Sequence, residues 1–283
     1  LNVLVMGLAR TGTTVVSEAV QQAVGARHYL SEPRTIDAFH ERALLGTEGV
    51  VAKVIFEHWS DRPNLRRAVV ANECALRFDR RVFVMRDPRD ELISRLHFFI
   101  LSHIDGSGYD PVACGRWLDL LRRKEAAPRS VPIKDLIAGR ETIFGKGAIE
   151  DIGKNRNYFG FVSGLGPRKL VLRYEDFVRG ERAALAGYLG CDSVEDTVQP
   201  RFPHRRRTAD AQNWRRYFTP EDVAHFRPEY EPVLAAAGYS DWTLDPVDRL
   251  DPETGSAYVE RLIAIARERK RRRWWQGAWP LRR

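Results

Sequence analysis

The chain has 283 residues, of which 43% are hydrophobic and 30% charged, with a formal net charge of +8. That is globular composition, too apolar for a disordered chain and long enough to bury a full core. No apolar run approaches the ~18 residues a membrane helix needs. Three scattered cysteines, Cys74, Cys114 and Cys191, form no CxxC pair, which argues against a disulfide scaffold or zinc ribbon and for a reducing compartment. Leu1 opens directly in an apolar run with no Met and no basic leader, so an upstream segment or removed signal is left open.

Asn2–Met6 is a short Val-rich run before Gly7, the pattern of a buried parallel strand. The amphipathic stretch Thr14–Val24 predicts a helix. Val50–Phe56 predicts a second strand and Arg81–Met85 a third. Asp90–Ser102 reads as helix and Leu170–Arg173 as another short strand. This alternation predicts an α/β fold, a mostly parallel central sheet flanked by helices. Such sheets bind ligands at the carboxyl ends of their strands, which selects the residues after Met6, Ile55, Met85 and Leu172.

From Asp105 to Gly166, Gly and Pro breakers interrupt the pattern, with helices expected near Cys114–Ala127 and Pro132–Gly139. Residues 105–166 read as an acceptor-side insertion or lid within a single domain spanning 1–255. Thr219–Gly238 predicts a helix capped by Thr219, with Pro220 at its first position and Gly238 at its end. Residues 256–283 form a basic C-terminal helix, with Tyr258, Leu262, Ile265 and Ala266 on one face and Trp274, Trp275 and Trp279 near its end. Nine basic residues and two acids give this tail +7 and leave the body at +1. A nucleic-acid inference from charge therefore applies to the tail alone. Two readings stand for the tail: an anchor for an anionic membrane or acidic partner, or a solvated helix whose tryptophans fold back.

Gly7-Leu8-Ala9-Arg10-Thr11-Gly12-Thr13-Thr14 lies between the first strand and first helix with the GxxxxG spacing of a P-loop. Its glycines permit a tight turn, and the amides that open the helix face an anion. Thr13 stands where nucleotide hydrolases carry the Lys that reaches the outer phosphates, and Arg10 supplies the cation instead. The expected architecture is therefore P-loop nucleotide-hydrolase-like. After the third strand, Arg86 stands where a metal-binding Asp is common; it repels Mg²⁺ and attracts phosphate. Asp87-Pro88 reads as a helix cap and first position, and Ser94 adds a hydroxyl towards the same anion. Two phosphate sites without a metal pair fit a nucleotide with separated phosphates better than ATP. No metal is expected.

At these residues the sequence resembles sulfotransferases that use 3′-phosphoadenosine 5′-phosphosulfate. Arg10-Thr11-Gly12-Thr13-Thr14 is similar to the family's 5′-phosphosulfate loop, and Arg86-Asp87-Pro88-Arg89-Asp90 through Ser94-Arg95 to its 3′-phosphate motif. Arg173-Tyr174-Glu175-Asp176-Phe177 resembles a segment whose Tyr approaches adenine. Asn213-Trp214-Arg215-Arg216-Tyr217-Phe218-Thr219 resembles a Trp-containing segment before the last large helix. Arg207-Thr208-Ala209 occupies the place of an Arg-Lys-Gly loop on the 3′-phosphate, matching only in Arg207. The resemblance covers roughly residues 1–100 and 168–240.

Sulfuryl transfer requires an in-line displacement with developing charge neutralised. Arg10 is the cation for the leaving phosphate, and Lys53 the cation for the sulfuryl oxygens, one of only seven lysines. The base stays open among three residues. Glu32-Pro33 resembles the Glu-Pro of the carbohydrate branch. The small-molecule branch places a His two residues after the strand Lys, where this chain has Ile55; His58 and Glu57 are the alternatives. The resemblance implies an enzyme that sulfates a hydroxyl on a glycan, glycolipid or small metabolite and releases adenosine 3′,5′-bisphosphate, and the lack of a spanning or signal segment favours a cytoplasmic one, unlike the membrane-tethered carbohydrate branch. Trp117, Tyr158, Phe159 and Phe161 are candidates for the acceptor site or simply core. A P-loop kinase of nucleosides or small molecules and an inactive nucleotide-binding module are the alternatives.

Overall fold

The computed structural model describes the chain except for residues 47, 48, 60, 61, 63–70, 146, 148, 150, 197–206, 208, 209 and 278–283, and the side chains of 272–277. It divides into two compact units, one made of residues 1–88, 151–203 and 236–238, the other of 89–150, 204–235 and 239–283.

The first unit carries one five-stranded sheet. Its strands are β1 (Val3–Gly7), β2 (His28–Ser31), β3 (Val50–Ile55), β4 (Arg80–Met85) and β5 (Leu170–Arg173), all parallel in the order β2-β3-β1-β4-β5. Every residue of β1 and β3 is buried, which is why they read as continuous apolar runs. Helix α1 (Thr13–Ala23) buries Val16, Ala19 and Val20 at i, i+3 and i+4 against Val5, Val51 and Leu172 of the core. The chain leaves β1 towards β2 on one side, while β4 lies on the other side. The loops after β1 and β4 therefore part at a switch point, where α/β sheets hold ligands.

The expected strands hold to within one or two residues, with Gly7 included in β1. Strand β2 was not expected: it has four half-buried or exposed residues at the sheet edge and no apolar run. Helix α2 (Asp37–Leu44) follows it. Residues Asp151–Gly166 belong to this unit. Here a helix that the sequence reading did not include, Gly153–Ser163 (α6), forms within the stretch expected as an insertion. Tyr158 of α6 directs its hydroxyl at the Met6 and Val84 carbonyls, 2.9 and 3.1 Å away, across the neighbouring strands β1 and β4. Short helices α7 (Tyr174–Val178) and α8 (Ala183–Leu189) complete the unit.

The second unit is helical: α3 (Pro88–Ser107), α4 (Pro111–Ala126), α5 (Ile133–Phe144), α9 (Trp214–Tyr217), α10 (Pro220–Ala236) and α11 (Ser256–Gly277). Side chains cap these helices. Asp222 accepts from the Ile133, Lys134 and Thr219 amides and so serves α5 and α10 together. Glu125 accepts from the Ser256 amide and hydroxyl at the start of α11. The buried face of α11 is Tyr258, Val259, Leu262, Ile263 and Ala266, with Ile265 only partly covered. Several of its basic residues pair with acids, Arg261 with Glu253, Arg269 with Asp105 and Arg271 with Glu268. The Trp274 and Trp275 side chains, and Trp279 entirely, lie outside the described residues. Among the described residues no helix is long and apolar enough to cross a membrane.

Candidate functional site

The loop from Leu8 to Gly12 crosses the carboxyl end of β1. Gly7 sits beneath it: a Cβ there would lie 2.5 Å from Thr13 Cγ2, 2.6 Å from Thr11 Oγ1 and 2.9 Å from the Val84 carbonyl. Gly12, at φ 87, faces the Tyr174 ring so closely that a Cβ would overlap it. Between them Arg10 adopts φ 74, a left-handed conformation uncommon for a side-chain-bearing residue. Four contacts hold this shape. The Ala9 amide donates to Glu57 Oε2 at 2.7 Å, and Arg86 Nη1 donates to the Arg10 carbonyl at 2.9 Å. Thr11 Oγ1 donates to the Leu8 carbonyl at 2.8 Å, and Tyr174 covers Gly12. The first-turn amides of α1, at Thr13 and Thr14, have no intrahelical acceptor and suit an anion.

Lys53 lies inside β3 with no exposed surface. Its ammonium donates to Glu32 Oε1 at 2.6 Å and to Thr14 Oγ1 at 3.0 Å. One buried cation thus joins the phosphate-type helix to the end of β2. Glu32 is held at φ 51, its amide bonded to the Lys53 carbonyl at 2.9 Å, and the next turn is fixed by Trp59 Nε1 on the Pro33 carbonyl at 2.8 Å. Two of the four left-handed non-glycine residues described, Arg10 and Glu32, therefore flank this site. Such strain persists where surrounding contacts over-determine it.

His58 follows on a 3₁₀ turn, Phe56–His58. Burial, then Arg34, holds its imidazole below the ordinary histidine range, against the opposing pull of Glu32 and Glu57. His58 is thus favoured neutral at pH 7. Its Nδ1 is buried and makes no hydrogen bond among the described residues.

At the end of β4, Arg86 is 6% exposed and stacks 4.8 Å from the centre of the Tyr174 ring. Tyr174 is itself buried, between this guanidinium and Gly12. Its neighbour Glu175 accepts from the Asp87 amide at 2.9 Å, fixing the turn that follows Arg86. Burial pushes the Glu175 carboxyl up to about 7; Asp87 adds to the rise, while the Asp87 amide and Arg86 oppose it.

Arg10, Thr11, Gly12, Thr13, Thr14, Glu32, Lys53, Arg86 and Tyr174 thus form one linked set in the first unit. Ser94 and Arg207 belong to the second unit. Ser94 is buried in α3, and Arg207 donates to the Thr254 carbonyl at 3.0 Å. Thr208 and Ala209 lie outside the described residues. Trp214 packs 3.7 Å from the Arg89 guanidinium, which also lies 4.6 Å from the Trp242 ring. Trp117, Tyr158 and Phe159 are buried core residues, and Phe161 packs on Phe56 and Phe83. Sequence reasoning missed Glu175 and the tie from Glu57 to the loop; both are hydrogen bonds between residues far apart in the chain.

No family model matches the chain, and no curated protein does. Among solved structures it is similar to mouse sulfotransferase SULT7A1 complexed with PAP, at TM-score 0.43 and 15% identity over 83% of this chain and 84% of that one. It is similar to retinol dehydratase in complex with androsterone and inactive cofactor PAP, at TM-score 0.39 and 15% identity over 85% and 81%. It is also similar to the sulfotransferase domain from the curacin biosynthetic pathway, at TM-score 0.35 and 14% identity over 93% and 96%. All three scores fall short of what establishes a common fold.

Proposed function

We propose that this chain is a sulfotransferase, moving a sulfuryl group from 3′-phosphoadenosine 5′-phosphosulfate to an acceptor hydroxyl. The observation that carries this reading is the set of three cations, Arg10, Lys53 and Arg86, on the adjacent strands β1, β3 and β4 or just beyond them, tied to one phosphate-type loop. Three positive groups, the hydroxyls of Thr13 and Thr14 and the first amides of α1 make a donor set suited to a nucleotide with two separated anionic groups. Ser94 and Arg207 are proposed as further 3′-phosphate contacts on the sequence alone.

In this reading Glu32 takes the proton of the acceptor hydroxyl as that oxygen bonds to sulfur. Lys53 neutralises charge gathering on the sulfuryl oxygens, already oriented by Glu32 on one side and Thr14 on the other. Arg10 and the amides of α1 take up the charge left on the departing phosphate oxygen as its bond to sulfur breaks. The bound nucleotide supplies the activated sulfuryl group; the chain supplies position, charge and a proton acceptor. His58, favoured neutral, is the second candidate base. The acceptor is proposed as a glycan, glycolipid or small metabolite, with residues 105–166 on its side. A cytoplasmic location, and contact of the basic tail with an anionic membrane, are likewise proposed from sequence.

Thermal unfolding tests the reading. A ligand at a hundredfold excess over its Kd stabilises the native state by about 2.7 kcal/mol. Adenosine 3′,5′-bisphosphate without magnesium is expected to raise the melting temperature by several degrees, and ATP with magnesium to leave it unchanged. The opposite pattern overturns the assignment in favour of a P-loop kinase. Binding without transfer to any hydroxyl acceptor favours an inactive module.

A further inference from the structure

Glu57 presents a carboxylate to a loop read above as an anion site and takes up one of the loop's own amide donors. Its Oε2 lies 2.7 Å from the Ala9 amide, a charge-assisted bond reaching from the turn after β3 to the loop after β1. Ala9 directly precedes Arg10, the residue at φ 74. We propose that Glu57 is a positioning residue: it fixes the Ala9 amide and thereby keeps the loop in the shape that receives the donor's phosphosulfate. This rests on the donor reading given above.

The loop is clasped from three strand ends. Glu57 follows β3 and holds Ala9; Arg86 follows β4 and holds the Arg10 carbonyl; Tyr174 follows β5 and covers Gly12. Arg86 is proposed to meet the donor, and the sequence resemblance brings Tyr174 towards its adenine, so both clasps serve ligand and loop together. Glu57 meets the loop at the Ala9 amide and is assigned no donor contact. Glu32, by contrast, is held beside Lys53 at the proposed transfer point. Removing the Glu57 clasp leaves two of the three ties, so the backbone at Ala9 and Arg10 samples more conformations and the donor must reorder it on binding.

Calorimetric titration of adenosine 3′,5′-bisphosphate, run well below the unfolding temperature, tests this on four proteins. Glu57→Ala is expected to bind about tenfold more weakly, the loss of one charge-assisted hydrogen bond. Glu57→Gln keeps a carbonyl acceptor of the same reach and is expected to stay within about threefold of wild type. Glu57→Asp keeps the charge but falls one methylene short, and is expected to lose affinity as the alanine variant does. A role in fold stability alone lowers the melting temperature without moving the affinity of the folded fraction, and that result overturns the proposal. Asp binding like wild type while Gln binds like Ala overturns it too, since charge rather than reach then matters. Should the alanine variant not fold, the contrast between Gln and Asp decides the question without it. The wild-type titration separates the two levels: no binding there removes the donor reading, whereas wild-type binding with unaffected variants removes only the role of Glu57.

Discussion

The Arg86 guanidinium donates a 2.9 Å hydrogen bond to the Arg10 carbonyl, so the cation at the end of β4 sets the backbone that carries the cation at the end of β1. Arg86 also stacks on Tyr174 from the end of β5, which makes it a joint between three strand ends as well as a charge. The two functions separate by substitution. Arg86→Lys keeps the charge and loses the planar stack and fixed donor geometry; it is expected to weaken adenosine 3′,5′-bisphosphate binding about tenfold. Arg86→Met loses both and is expected to weaken it about a hundredfold. Equal affinity of the lysine variant and wild type, measured by titration calorimetry, assigns Arg86 a charge role only.

Gly12 is required by its neighbour as well as by its backbone. At φ 87 an alanine is strained, and its Cβ overlaps the Tyr174 ring. Gly12→Ala is expected to cost about 2–4 kcal/mol, combining left-handed strain with overpacking. Replacing Tyr174 by Leu in the same chain relieves the overlap but not the strain. Urea unfolding of the single and double variants is therefore expected to give a total below the sum. Additive losses show that the ring does not restrain Gly12.

Much of this architecture was legible because parallel strands buried on both faces read as apolar runs. Val3–Gly7 and Val50–Ile55 are buried throughout, and the loop between β1 and α1 announces itself by glycine spacing. Arg86 was found because it ends such a run. Strand β2 was invisible, since His28-Tyr29-Leu30-Ser31 is short and half-exposed at the sheet edge. Helix α6 was hidden by glycines at 153, 160 and 164. The bonds that clamp the site were beyond any local pattern. Glu57 to Ala9 spans 48 residues and Glu175 to Asp87 spans 88. Such contacts depend on strand order and register, and on how the chain turns after each strand, none of which a single strand's composition records.

Glu32 and Lys53 form a pair whose members are unequally buried, the lysine at 0% and the glutamate at 27% side-chain exposure. Removing the glutamate outright strands a buried ammonium, at a cost of up to about 3 kcal/mol. Glu32→Gln is the cleaner test, because its carbonyl still accepts from Lys53. As the base, Glu32 is worth at least about a hundredfold in turnover. Glu32→Gln is expected to lose that factor with nucleotide binding retained. Turnover within a few fold of wild type transfers the base to His58.

Glu175 gives a pH signature of folding that is independent of catalysis. Its carboxyl rises from an ordinary 4.5 to about 7 in the folded chain, chiefly through burial. Between those values the folded state keeps a proton that the unfolded chain releases, so stability falls as pH rises through that window and is complete below it. At 1.36 kcal/mol per unit the loss is about 3 kcal/mol, levelling off above pH 7. Glu175→Gln keeps an acceptor for the Asp87 amide and has no proton to lose. Its urea midpoints are expected to stay flat across the window where wild type declines, and to exceed wild type at about pH 8. Parallel curves for the two proteins show that Glu175 ionises in the ordinary carboxylate range and that the Asp87 amide and Arg86 offset its burial in full.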